Sequence, residues 1–501
     1  MRRLFWLCCV IFFLVLCAPE ACAAEAEEIS GKALVTGAAG MGSVNPLFDG
    51  RTMESVKIRD RGSLTLEHEK GIGSLYLIFG QEYGTYTVTD PAAGEQRLFG
   101  TDGYLHEFLD LEREFGYAPS RIQISFENGD AKLAEVHAFT AGEVPDWVQI
   151  WQPPLEGETD LALFSTHGDD EQLFFAGMLP YYARELGYNV QVVYMTGHRN
   201  MSVRRSHEML NGLWAVGIKN YPVFGPFGDY NTTSRAAAYQ IYRNKGITRE
   251  DILSFVVENI RRFRPKVAVG HDLDGEYGHG MHMVYAELLC EAVGIASDSL
   301  QYPESAEDYG TWDVPKTYLH LYPDQKIVMD WDIPLLSFDG MTAFEVTKEL
   351  GFPCHESQQT FFRYYFSGVE KASDIRENSP CEFGLYRSTV GEDVQKKDFF
   401  ENVTTYAQDE LAEERLQEEI ARAEAEARER AAREAERKRH AEETAGQAQP
   451  VQTDPALPIP APEPDAEARK LSAVAYFSVF IALAALFFGV SGLVRSRKNN
   501  N

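Results

Sequence analysis

The chain has 501 residues, a formal net charge of −29 and 44% hydrophobic residues. That length exceeds one domain, and the apolar fraction is ample for packed cores. So acidic a balance argues against nucleic acid as a partner.

The N-terminal MRRLFWLCCVIFFLVLCAPEACAAEAEE holds Arg2 and Arg3, an apolar run, then the small-residue pattern Ala21-Cys22-Ala23. This is the anatomy of a cleaved secretory signal peptide over residues 1–23. An uncleaved anchor ranks second, because the run is short and cleavable residues follow it. Four of the seven cysteines (Cys8, Cys9, Cys17 and Cys22) fall in this segment. Cys290, Cys354 and Cys381 remain, too few for a disulfide scaffold, although one bridge such as Cys354 to Cys381 is open.

Residues 24–155 read as a β-sandwich: SLTLEH, SLYLIFG, YTVTD, RIQISFE and LAEVHAFT are short alternating or apolar runs between Gly, Asp and Pro. ALVTGAAGMGS, residues 33–43, imitates a dinucleotide-binding turn. That chemistry needs a helix N-terminus after the glycines, and VNPLFDGR follows instead. An exported protein also meets little nicotinamide cofactor, so no nucleotide cofactor is expected.

Residues 156–404 change pattern to alternating strands and helices. DLALFST, VQVVYMTG and KVAVGHD are strands; DEQLFFAGMLPYYARELG (with Pro180 inside it), RRSHEMLNGLWAVGI and REDILSFVVENIRRFRP are helices. Apolar strands that do not alternate predict a mostly parallel sheet covered on both faces, a Rossmann-like α/β domain. Such sheets hold ligands beyond the C-terminal ends of their strands.

Residues 405–447 are almost all Ala, Glu and Arg, with i,i+4 pairs Glu418–Arg422, Glu424–Arg428, Glu426–Arg430 and Glu429–Arg433. Large apolar residues are nearly absent after Ile420, so a solvated single-helix stalk is expected, with a coiled coil second. A Pro-rich spacer covers 448–470. Residues 471–494, LSAVAYFSVFIALAALFFGVSGLV, are long enough for a transmembrane helix. Arg495, Arg497 and Lys498 then place the 495–501 tail in the cytoplasm and the head outside. The expectation is an exported head, tethered to the cell membrane by a single C-terminal helix.

His167 and Asp170 lie three apart at a helix start, and His279 and His282 repeat that spacing in GEYGHGMH. Three nitrogen or carboxylate ligands with a fourth place left for water is the pattern of a catalytic zinc. Taken singly, each group has a plainer reading, as a helix cap or a satisfied core histidine. Their common position at strand ends favours a site.

STHGDDE resembles the AHPDDE signature of the PIG-L (LmbE-like) family of zinc-dependent de-N-acetylases, and GEYGHGMH resembles its later YGHPDH. RRSHEMLNGLWAVGI is similar to the family's R-x-x-E helix, and HESQQ from His355 to its H-x-S-Q element. The resemblance implies Zn2+ held by His167, Asp170 and His282, with Asp169 as general base. It implies His279 as general acid or stabiliser of developing charge, and Tyr277 assisting at the oxyanion. Arg205 would touch sugar hydroxyls with Glu208 bracing it, and Asp229 is a further sugar-contact candidate. Gly168 stands where the family has Pro, and Gly280-Met281 where it has Pro-Asp. The spacing of LFDGRTMESVKI, SLYLIFG, YLHEFLDL and RIQISFENGDAKLAEVHAF resembles a discoidin or galactose-binding-like module, which implies glycan or surface binding. The expectation is thus a cell-surface zinc hydrolase removing N-acetyl groups from an N-acetylglucosamine-type glycan or glycoconjugate. Alternatives are a non-catalytic, membrane-anchored glycan-binding protein and a zinc amidase or esterase with a non-sugar substrate.

Overall fold

The computed structural model describes residues 24–37, 43–197 and 203–446. The expected signal peptide (1–23), the whole spacer (448–470), the apolar stretch 471–494 and the 495–501 tail lie outside the described residues. Among the described residues no helix is long and apolar enough to cross a membrane.

The first part of the chain builds two antiparallel sheets from strands β1 (Leu34–Gly37), β2 (Val56–Ile58), β3 (Gly62–Glu67), β4 (Ser74–Phe79), β5 (Tyr86–Asp90), β6 (Glu95–Phe99), β7 (His106–Asp110), β8 (Arg121–Phe126) and β9 (Ala131–Phe139). Their orders are β1-β3-β8-β5-β6 and β2-β9-β4-β7. Alternation sets the layers: Leu64, Leu66, Ile122 and Ile124 point inward with Leu75, Leu77 and Phe79 from the other sheet. β1 pairs antiparallel with β3, so the glycine-rich decoy starts on a sandwich strand and not on a βαβ unit.

A seven-stranded sheet follows, in the order β12-β11-β10-β13-β14-β16-β15. Its members are β10 (Leu161–Ser165), β11 (Val190–Thr196), β12 (Val223–Phe227), β13 (Val267–Gly270), β14 (Lys316–His320), β15 (Lys326–Val328) and β16 (Glu382–Ser388). β10 to β14 are mutually parallel, and β16 runs antiparallel between β14 and β15. Leu161 and Leu163 enter one apolar cluster while Ala162 and Phe164 enter another, so both faces are covered. The first cluster runs on into the sandwich, which shares it through Leu64, Leu77 and Trp151. Because β10 has β11 on one side and β13 on the other, strand order reverses between β10 and β13. Crevices at such reversals are where doubly wound sheets bind ligands.

Six helices matter below: α1 (Asp170–Leu173), α2 (Val203–Ala215), α3 (Arg235–Asn244), α4 (Arg249–Phe263), α5 (Gly280–Ile295) and α6 (Tyr406–Gly446). The single helix expected from Asp170 to Gly187 is broken. α1 is one turn, Gly177 adopts φ +89° with Trp331 packed on it, and Pro180 opens a separate wide-turn helix, Pro180–Glu185. A Cβ at Gly177 would lie 2.6 Å from Trp331 Cβ, so the break is a packing requirement. The Cys354–Cys381 bridge does not form: all three described cysteines are free. Cys354 donates to the Leu350 carbonyl and Cys381 is buried in the first core cluster.

At the start of β14, an interior strand, Lys316 pairs with Asp393 at 2.5 Å, both side chains fully buried. Tyr318 donates to the other carboxylate oxygen, and Lys316 also donates to the Glu401 carbonyl. Asp393→Ala strands a buried ammonium and is expected to destabilise the chain by about 3–5 kcal/mol. Urea unfolding reads this; a loss below about 1 kcal/mol would show the pair to be dispensable.

The root of α6 is tied down by Tyr406, whose N–H donates to Asp160 and whose hydroxyl donates to the Arg264 carbonyl. From residue 417 the helix belongs to a separate compact unit. Its side chains are exposed from Ala407 to Glu443. Glu424–Arg428, Glu426–Arg430 and Glu429–Arg433 pair as the spacing predicts, whereas Arg422 reaches forward to Glu426.

Candidate active site

The acidic turn after β10 is built by its own hydrogen bonds. Asp170 folds its carboxylate back, so that the His167 N–H donates to Oδ2 at 2.8 Å and His167 Nδ1 lies 3.1 Å from the same oxygen. Asp169 stands at the helix N-cap but makes no side-chain cap bond. Its carboxylate instead lines a cavity of about 360 Å³, with Arg205 at 3.5 Å. Burial pushes Asp169 up to about 6 against the pull of Arg205.

The second loop leaves β13, the strand beside β10. Tyr277 takes a left-handed backbone (φ 46°, ψ 23°), a strained state for a tyrosine of the kind that collects at functional sites. It stays 48% exposed on the cavity wall. His279 caps α5 from the same wall, and His282 lies one turn in, fully buried. His279 Nδ1 is buried with no hydrogen-bond partner. Burial and the neighbouring His167 and His282 push His279 down to about 3, so it faces the cavity as a neutral imidazole.

The two loops converge. His282 Nε2 lies 2.9 Å from His167 Nδ1 and 3.3 Å from Asp170 Oδ2. Ligands about 2.0–2.1 Å from one ion at tetrahedral angles are about 3.3 Å apart, so these three atoms fit a common metal ion. Two further groupings overlap this one: His167–His279–His282 and Asp170–His271–His282. His271 is otherwise engaged, because its Nε2 accepts the Thr166 N–H at 2.9 Å. The charges of the site are mutually set. Asp170 is buried, yet His282 and His167 hold it well below the usual carboxylate range. His282 is also buried, yet Asp170 and Glu276 carry it up to about 9.

All the sequence-predicted site residues except His282 and the brace Glu208 line the one cavity, together with Leu173, Asn231 and Gln358. Two take positions the sequence did not suggest. Asp229 Oδ1 lies 3.0 Å from His167 Nε2, so it braces that imidazole as well as facing the cavity. Arg205 is largely committed: it pairs with Glu208 at 2.9 Å and donates to the Gly168 carbonyl and Ser357. Glu208 also accepts from Ser357 and Arg204, as expected of a brace. Sequence reasoning missed Glu276, His271 and His320, all buried behind the site. A usable signal existed, since β14 ends in His320 and His271 directly follows β13.

The departures at Gly168 and Gly280 have steric reasons. A Cβ at Gly168 would lie 1.9 Å from Met209 Sδ on α2, so Met209 fills the space a larger residue would need. Gly168→Ala is expected to cost about 1–3 kcal/mol, and markedly less in a Met209→Ala background. Equal losses in both backgrounds, by urea unfolding, would deny that contact. Gly280 donates its N–H to the Thr232 carbonyl at 2.6 Å, which proline cannot do. Met281 is fully buried in the second core cluster, where an aspartate would be unpaired.

The reversal-point crevice and the two-histidine, one-carboxylate donor set define a doubly wound α/β domain with a candidate metal centre. Residues 162–293 match the family model described as PIG-L: GlcNAc-PI de-N-acetylase, and the chain carries a PIG-L family domain there. Among curated proteins, the chain is 35% identical over 101 residues to the 1D-myo-inositol 2-acetamido-2-deoxy-alpha-D-glucopyranoside deacetylase 2 of Saccharopolyspora erythraea, covering 20% of this chain and 35% of that one. It spans between about a quarter and three fifths of the length of such relatives. Solved structures include the N,N'-diacetylchitobiose deacetylase of Pyrococcus horikoshii, with 16% identity, coverage of 46% of this chain and 83% of that one, and a TM-score of 0.29. A pectin binding carbohydrate binding module overlaps 22% of this chain and 93% of its own, at 13% identity and a TM-score of 0.17.

Proposed function

We propose that the chain is a zinc-dependent N-deacetylase that releases acetate from an N-acetylglucosamine-type sugar of a glycan or glycoconjugate. The observation that carries this reading is the meeting of His167 Nδ1, Asp170 Oδ2 and His282 Nε2 within 3.3 Å, with the Asp169 carboxylate, 3.5 Å from Arg205, on the same cavity wall. His167, Asp170 and His282 would hold the ion when it is bound. A divalent zinc there supplies a Lewis acid for the amide carbonyl and eases deprotonation of water. Asp169 takes the proton of the water that attacks the carbonyl carbon. The neutral His279 and the Tyr277 hydroxyl donate hydrogen bonds to the developing oxyanion. This favours charge stabilisation over general acid catalysis for His279. The C–N bond breaks as Asp169 returns its proton to the amine, giving acetate and a free amino sugar. Asn231, Gln358 and Asp229 offer polar contacts to sugar hydroxyls around the cavity.

The sandwich is proposed to hold the polymeric substrate, and the C-terminal apolar stretch to tether the head outside the cell membrane. Acetate release from N-acetylglucosamine oligomers, run beside zinc stoichiometry on the purified full chain, tests the activity. A zinc-free chain that releases no acetate yet binds the glycan would replace this reading with a binding protein. Protease shaving of intact cells that leaves the head untouched would sink the surface location.

A further inference from the structure

Behind the candidate metal ligands lies a carboxylate that the proposed chemistry does not use. Glu276 is fully buried, and three imidazoles converge on it. His282 Nδ1 lies 2.6 Å and His271 Nδ1 2.8 Å from its Oε2, while His320 Nδ1 lies 2.7 Å from Oε1, which also accepts the Asp272 N–H. Backbone groups, whose roles are fixed, place two of the protons in this cluster. The Thr166 N–H can only donate, so His271 Nε2 accepts, and a neutral His271 carries its proton on Nδ1, toward Glu276. The Ser379 carbonyl can only accept, so His320 Nε2 donates to it.

We propose that Glu276 is the positioning residue of the metal centre: it fixes His282 in its Nδ1–H form and so turns the Nε2 lone pair toward His167 Nδ1 and Asp170 Oδ2. The same carboxylate holds His271, which grips Thr166, the residue before His167. One side chain therefore registers the β10 loop against the β13 loop, with His320 anchoring it to β14. It also keeps His271 as a brace and out of the ligand set. A carboxylate behind a ligating imidazole raises its basicity and locks its orientation, and losing one commonly costs 10–100-fold in metal affinity.

This rests on the metal centre proposed above, and two measurements on the full chain separate the two. In Glu276→Gln, either orientation of the amide turns an N–H toward another N–H. Zinc affinity, read by chelator competition, is expected to fall about 10–100-fold, with a shifted visible spectrum of the cobalt-substituted protein and unchanged far-UV circular dichroism. Wild-type affinity and an unchanged cobalt spectrum in the folded variant would overturn the proposal while leaving the metal centre intact. Should the variant not fold, nitrogen-15 NMR of the zinc-loaded, histidine-labelled wild-type protein decides. Nδ1–H forms of His271 and His282 are expected, and an Nε2–H form of His282 would overturn the proposal. A wild-type chain that binds no zinc at all would instead remove the function proposed above.

Discussion

Asp169→Asn is expected to lower acetate release by about 10²–10⁴-fold while zinc stays near one ion per chain. The substitution keeps shape and removes only the basic oxygen. Asp169 is 6% exposed, makes no side-chain cap bond and supplies none of the three converged donor atoms, so the ion keeps its ligands. Its nearest charge is Arg205 at 3.5 Å, itself held by Glu208, and this steadies the carboxylate on the cavity wall. Turnover on an N-acetylglucosamine oligomer, with zinc counted by mass spectrometry on the same sample, reads both halves. Unchanged turnover would remove the general-base assignment. Lost zinc would make Asp169 a ligand.

His282→Ala has the opposite signature: zinc and turnover disappear together. The substitution deletes the nitrogen 2.9 Å from His167 and 3.3 Å from Asp170, leaving two donors from a single loop. It also takes away one of the imidazoles satisfying the buried Glu276, so some stability should go as well. Stoichiometric zinc in a folded His282→Ala chain would move the ligand set to other residues.

Much of this architecture could be read from residue patterns, and the reasons are local. DLALFST and KVAVGHD are continuous apolar runs because their strands are buried on both faces, and YTVTD alternates because one of its faces is not. Polar motifs directly after such strands must fall on the crevice edge, and His167, Asp170 and Tyr277 do lie there. What stayed hidden depends on contacts between distant segments. The break between α1 and Pro180 follows from Trp331, more than 140 residues away in the chain. Asp229 reads as a loop carboxylate until the fold sets it 3.0 Å from His167. Glu276 sits one residue before a motif tyrosine, and nothing in its neighbours announces three histidines from the loop after β13, from α5 and from β14. Gly168 looks like a loosened turn, yet the structure shows its space filled by Met209.

The most direct test of the account is an anomalous difference map, recorded at the zinc edge from crystals of the zinc-loaded chain. One peak bounded by His167 Nδ1, Asp170 Oδ2 and His282 Nε2, opening onto the cavity lined by Asp169, is the predicted result. No peak there, or an ion on His271 with His167 left aside, would contradict it.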